Sequence, residues 1–226
     1  MARIMLGVTG SVAAVKAPEL FDALQAAGHE VKVAPTKSAQ AFFDPGRLAT
    51  APGVTGDPLT ARGQSTVYLD EDEWPTDRLF SVGEPVLHIE LRRWAELLLI
   101  APLDANTLAK LALGLCDNLL TCVYRAWDLR RPVVLAPAMN THMWEHPATL
   151  RHLCRLMADF GGPEPFPHVD ADSLTGAINS ACERLRIVGP VSKRLACGDE
   201  GMGGMASVPD IVRTVSLFLA AQPGAE

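Results

Sequence analysis

The stretch VVLAPAMNTHMWEHP, Val133 to Pro147, begins as a run of β-branched apolar residues and then sets one amide, Asn140, among Met139, Met143 and Trp144. An amide buried without partners is costly, so Asn140 is either a structural plug or a group that reads a ligand. A second stretch, GVTGS from Gly7 to Ser11, puts two glycines and two hydroxyls where a strand turns into a helix. Free N–H groups at such a turn suit a phosphate, and ordinary helix capping accounts for the same residues. The pattern is not GxGxxG, because Ala13 holds the third glycine position. The second strand ends in Pro35, Thr36, Lys37 and Ser38, without the carboxylate that a dinucleotide's ribose requires. A mononucleotide phosphate is favoured over NAD.

Metal chemistry has little support. His142 and His146 sit four apart, but Pro147 follows them and no cysteine or acid stands in an obvious place for a third ligand. The 5 cysteines form no CxxC pair, and the expectation is free thiols, mostly buried as small hydrophobes, at Cys116, Cys122, Cys154 and Cys182.

The elements that must position these groups alternate. RIMLGV (Arg3 to Val8), EVKVAP (Glu30 to Pro35), LLLIAP (Leu97 to Pro102), PVVLAP (Pro132 to Pro137) and LRIVGP (Leu185 to Pro190) read as strands, and TVYL (Thr66 to Leu69) as a further one. Helical spacing separates them. One helix has Val12, Val15, Leu20, Leu24 and Ala27 on its apolar face and Gly28 at its end; others start near His88 and at Asn106, Asn118, Pro147, Ser173 and Pro209. DEDEW, Asp70 to Trp74, reads as acidic and solvated. Continuous apolar strands between helices indicate a parallel sheet covered on both faces. The fold class is α/β, a Rossmann/flavodoxin-like three-layer sandwich with a central parallel sheet. Ligands of such sheets bind outside the carboxyl ends of the strands. GVTGSVAA, APTKSA, APLDANT and APAMNTHMW leave the sheet there and should converge on one crevice.

Composition narrows the class of function. A chain of 226 residues with 48% hydrophobic and 20% charged residues is ordinary for a compact globular protein. A formal charge of −6 argues against general nucleic-acid binding. No apolar run has the length of a membrane span, and the N-terminus lacks the pattern of a signal peptide, so a cytoplasmic location is expected.

Six segments carry a resemblance. GVTGSVAAVKAPEL, TKSAQAFFD, TVYLDEDEW, the block from Pro85 to Asp128, PAMNTHMW and RLACGDEGMGGMA occur in this order. Together they resemble the homo-oligomeric flavin-containing cysteine decarboxylase family, and within it the members acting on 4′-phosphopantothenoylcysteine in coenzyme A synthesis. The resemblance implies FMN as cofactor, with Gly10, Ser11, Val12 and Ser38 at its phosphate end. Asp104, Ala105, Asn106, Thr107 and Ala138 line the rest. It also implies a homo-oligomer, a trimer, with a small-molecule substrate and neither nucleic acid, membrane nor metal as partner.

The implied chemistry needs an electron sink for the carbanion left when CO₂ departs, and flavin can serve. In the family the flavin oxidises the cysteine moiety to a thioaldehyde-like species that loses CO₂ readily, and the enethiolate formed is then protonated and reduced. The resemblance makes His88, Asn140 and Cys197 catalytic. At a helix start, the dipole and burial both favour a neutral His88 that can act as a base. Asn140 binds the substrate carboxylate, with Met139, Met143 and Trp144 as a dry wall that favours neutral CO₂, and core packing is expected of Trp144 as well. Cys197 protonates the enethiolate, for which a thiol ionising at about 8.5 is a reasonable donor. It lies in a glycine-rich stretch that reads as a mobile flap, 194–206, where Arg194, Ala196 and Met205 contact substrate.

Two stretches depart from the family pattern. Residues 45–65 are longer than it, and 162–184 look inserted before the flap; Asp104 stands where a small neutral residue is more usual. Otherwise one domain, 1–226, is expected. The rival readings are a decarboxylase of peptide C-terminal cysteines, a flavin prenyltransferase, which lacks the PAMN segment, and a flavoprotein that regulates a phosphatase by binding it.

Overall fold

The computed structural model describes residues 1–48, 66–74, 81–163, 170–194 and 200–221, with only the backbone at 193, 194 and 200. Five parallel strands form the main sheet: β1 (Arg3–Val8), β2 (Glu30–Pro35), β3 (Leu97–Leu103), β4 (Val133–Pro137) and β5 (Leu185–Ile187). Their order is β2-β1-β3-β4-β5. Every residue of β3 and β4 is buried, as continuous apolar sequence in the centre of a parallel sheet requires.

Side chains alternate between two cores. Met5, Leu98, Ile100, Val133 and Leu135 face a layer built from α3 (Leu87–Trp94), α4 (Ala105–Leu113), α5 (Leu119–Arg125), α7 (Pro147–Asp159) and α8 (Ala171–Ala181). Ile4, Leu6, Leu97, Leu99 and Val134 face α1 (Ala17–Ala26) and α9 (Val208–Ala220). This is the expected three-layer sandwich. Each buried leucine or isoleucine contributes about 1.5–3 kcal/mol by leaving water, so both helix layers are needed to cover a sheet apolar on both faces. Among the described residues no helix is long and apolar enough to cross a membrane.

Four local expectations change. Residues Val12–Lys16 form a 3-10 turn before α1, and Val12 and Val15 are exposed rather than part of the helix's buried face. The helix does end at Gly28, whose φ of 86° takes the left-handed conformation that suits glycine. Thr66–Leu69 makes only one bridge, Val67 to Val33 of β2, before a short helix α2 (Asp70–Glu73) begins. The glycine-rich stretch pairs in part as an antiparallel hairpin, β6 (Val191–Arg194) with β7 (Glu200–Gly204). Cys116 is exposed, Cys122 and Cys154 are half-buried, and only Cys182 among these four is buried.

The segment 162–184 supplies α8, whose Leu174 and Ile178 are buried against α7 and the sheet. Within it 164–169 lie outside the described residues, as do 49–65 of the other long stretch.

Candidate functional site

Strand order fixes where a ligand can enter. The chain moves outward from β1 to β2, then crosses back to lay β3 on the other side of β1. At such a reversal the connections leave in opposite directions and open a crevice beyond the strand ends. The exits of β1 and β3 are pinned together there by Thr9, which is fully buried. Its hydroxyl donates to the carbonyl of Pro102 at 2.8 Å and accepts the backbone N–H of Asp104 at 2.7 Å.

Asp104 in turn caps α4, with Oδ1 accepting the N–H of Thr107 at 2.7 Å. Its second oxygen faces Gly10: a Cβ built on Gly10 would lie 3.2 Å from Asp104 Oδ2 and would collide with Ser38 Oγ. Ser38 Oγ is also 3.1 Å from Thr36 Oγ1. Exits of β1, β2 and β3 therefore meet at one point, where a side chain on residue 10 would fill the space. The Ser11 hydroxyl accepts the N–H of Ala13 at 3.3 Å, which starts the 3-10 turn. Ala105 is partly exposed and Asn106 exposed, whereas Thr107 is buried and offers the junction its backbone N–H.

Beside this junction lies a cavity of about 630 Å³. Ser11, Val12, Ala138, Asn140 and Met205 all line it. Ala138 is held at the β3 exit by its N–H to the carbonyl of Leu103 at 2.9 Å. Asn140 caps α6 (Thr141–Trp144), with Oδ1 accepting the N–H of His142 at 2.9 Å. That bond commits the amide's oxygen to the start of the helix.

The hairpin closes the cavity's side. Met139 donates its N–H to the carbonyl of Gly203 at 2.9 Å. Gly203 has φ 134°, and a Cβ there would collide with the carbonyl of Met139. At Gly201 a Cβ would come within 2.5 Å of Thr141 Oγ1. Glycine is thus required for the close approach of β7 to the Asn140 segment, a physical reason for part of GMGGM.

Two of the expected wall residues lie outside the cavity, Trp144 in the core position also expected of it. Met143 is 48% exposed, and Trp144, 1% exposed, is a core side chain whose indole N–H reaches Asp172 of α8 at 2.9 Å. Neither lines the cavity. Arg194 sits on β6 opposite Glu200; Ala196 and Cys197 lie outside the described residues.

His88 is also absent from the cavity lining. It occupies the first turn of α3, where Glu73 holds it from two directions. One carboxylate oxygen accepts the His88 backbone N–H at 2.8 Å and the other lies 2.6 Å from Nδ1. The Glu73 side chain is only 2% exposed, so DEDEW is not a solvated acidic tract. Asp70 accepts the N–H of Leu119 at 2.8 Å and Asp72 that of Leu69 at 2.7 Å, so three of the four acids serve helix starts. Sequence reasoning missed Glu73 and Thr9. Four consecutive charges carry no periodicity that marks one of them as buried, and Thr9 was visible only as one hydroxyl of a turn.

Residues 1–219 match the family described as Flavoprotein. The chain is 44% identical over 219 residues to phosphopantothenoylcysteine decarboxylase of Mus musculus, covering 96% of this chain and 87% of that protein. Among solved structures it resembles a cysteine-to-serine mutant of PPC decarboxylase complexed with pantothenoylaminoethenethiol (TM-score 0.73, 42% identity, 97% of this chain and 99% of that one). It also resembles the FMN-binding protein AtHal3 (TM-score 0.72, 43% identity, 99% of each chain).

Proposed function

The chain belongs to the Flavoprotein family, among the phosphopantothenoylcysteine decarboxylases, and from that membership we propose that it converts 4′-phosphopantothenoylcysteine to 4′-phosphopantetheine with FMN. The observation that carries this reading is identity above 40% along almost the whole of both chains.

The residues at the strand exits fit FMN. The space left by Gly10 between Ser38 and Asp104 is a cradle that a Cβ would fill. Gly10, Ser11, Val12 and Ser38 would take the phosphate end, where hydroxyls and turn N–H groups suit an anion. Asp104, acceptor-only when ionised, suits the hydroxyl-bearing part better than the phosphate. Ala105, Asn106, Thr107 and Ala138 would line the remainder. The chemistry FMN supplies when bound is a reversible two-electron sink, which lets a cysteine carboxylate leave as CO₂ without net redox change.

The chain's own groups do the rest. One C–C bond breaks, CO₂ departs, and one proton is taken up at the carbon left behind. Asn140 holds the departing carboxylate through its amide N–H donors, in a cavity walled by Ala138, Met139 and Met205. His88 acts as the base through Nε2, and Cys197 returns the proton from its thiol. Arg194, Ala196 and Met205 contact the substrate, Arg194 at its phosphate. A homotrimer accompanies this reading, supported by the family resemblance.

A mass-spectrometric assay of the purified protein with phosphopantothenoylcysteine is expected to yield 4′-phosphopantetheine. Cys197→Ser is expected to accumulate an oxidised aminoenethiol instead. No turnover by a flavin-loaded wild type overturns the assignment.

A further inference from the structure

We propose that Glu73 is a positioning residue for His88, fixing which ring nitrogen carries the hydrogen; this rests on the reading of His88 as the base. Glu73 lies 15 residues before His88, on an element with no other evident part in the site.

The geometry is specific. Both carboxylate oxygens are engaged by His88, one at the backbone N–H and one at Nδ1. An acceptor-only partner requires Nδ1 to carry a hydrogen, so the neutral ring has its lone pair on Nε2. A separation of 2.6 Å is that of a charge-assisted bond. A helix cap alone needs one oxygen, and the cap is indeed missing from the usual place, since Val86 at the N-cap of α3 makes no side-chain bond. The second oxygen does nothing for the helix; it orients the imidazole.

Glu73 is itself held. Its short helix is anchored at Asp72 to the N–H of Leu69 and at Asp70 to that of Leu119, at the start of α5. The carboxylate is 2% exposed and the imidazole 20%, so the acid is interior and the ring stands between it and the surface. A buried orienting group behind a partly exposed base is the arrangement that presets a tautomer.

Glu73→Gln separates this role from a structural one. An amide is nearly isosteric but has a single acceptor for two donors. If its oxygen keeps the backbone N–H of His88, its NH₂ faces Nδ1 and donates, which moves the ring hydrogen to Nε2. The opposite orientation sets two N–H groups against each other and uncaps α3.

The experiment compares flavin-loaded wild type and Glu73→Gln by ¹⁵N NMR of labelled histidine at a pH where the ring is neutral, with His88→Gln identifying the signal. Expected are an Nδ1–H ring in the wild type and an Nε2–H ring in the variant. In the decarboxylation assay kcat is expected to fall on the order of 100- to 10,000-fold, the contribution of a correctly positioned base, with little change in KM. Glu73→Asp, which keeps the anion on a shorter arm, is expected to restore part of the kcat loss and the Nδ1–H tautomer. An unchanged tautomer, or an unchanged kcat despite a changed tautomer, overturns the inference. If the wild type turns over no phosphopantothenoylcysteine, the decarboxylase reading fails, and the tautomer comparison alone decides what Glu73 does.

Discussion

Thr9 and Asp104, 95 positions apart in the chain, are joined by one hydrogen bond of 2.7 Å from the backbone N–H of Asp104 to the Thr9 hydroxyl. That bond locks the exits of β1 and β3 at the point where the sheet reverses direction. Around it Gly10, Ser38 and the free end of the Asp104 carboxylate form a cradle whose size depends on residue 10 having no side chain.

Gly10→Ala places a methyl group in that cradle. The strand exits are held by Thr9 rather than by Gly10, so the fold is expected to survive, with an unchanged far-ultraviolet circular dichroism spectrum. FMN affinity is expected to fall at least about tenfold, which corresponds to about 1.4 kcal/mol. Titration of apoprotein with FMN, followed by flavin fluorescence, measures it; equal affinity in the variant would place the phosphate elsewhere.

Asn140 combines a structural and a proposed chemical role on the two ends of one amide, and Asn140→Asp separates them. Aspartate caps helices as well as asparagine does, so the acceptor bond to His142 N–H is kept and stability by urea unfolding should change little. The donors become an anion facing the substrate's carboxylate. Activity is expected to fall on the order of 100-fold or more, the scale for losing one well-placed donor. Equal losses of stability and activity would instead mark Asn140 as a plug.

Cys122 gives a prediction in pH. Burial, then the neighbouring Cys116, pushes its thiol up from an ordinary 9.0 to about 11. At a pH below 9 it therefore holds roughly 100-fold less thiolate than an ordinary cysteine. Iodoacetamide labelling at pH 8.5, read by peptide mass spectrometry, should modify Cys122 far more slowly than the same peptide after denaturation. The sign for stability follows. The folded state retains a proton that the unfolded chain releases near 9, so this group leaves stability untouched below that pH and lowers it as pH rises from 9 towards 11. Rapid labelling of the folded protein at pH 8.5 overturns this.

The layered α/β fold is legible from the residues alone, because LLLIAPL and VVLAP are apolar without alternation and only a sheet covered on both faces can bury them. The crevice is legible in the same way. Gly10, Ser38, Asp104 and Asn140 each follow a strand, and strands in one parallel sheet end on the same side. The start of α5 was legible at Asn118, whose capping bond to Thr121 spans three residues.

Features that depend on distant partners emerge only when the chain packs. Thr66–Leu69 has the composition of a strand but meets β2 at a single bridge. Val12 and Val15 fit a helical period, yet the chain turns through a 3-10 segment there and leaves them exposed beside the cavity. Trp144 read both as a wall for the ligand and as a core side chain, and its burial with the indole's reach to Asp172 decides for the core. Glu73 is the sharpest case. Nothing local distinguishes it from Glu71 two residues earlier, and it is interior only because α2 lies against the start of α3, where His88 supplies two donors to one carboxylate. Periodicity records which face of an element is dry; a buried charge is fixed by the partner that compensates it, and that partner is chosen by packing.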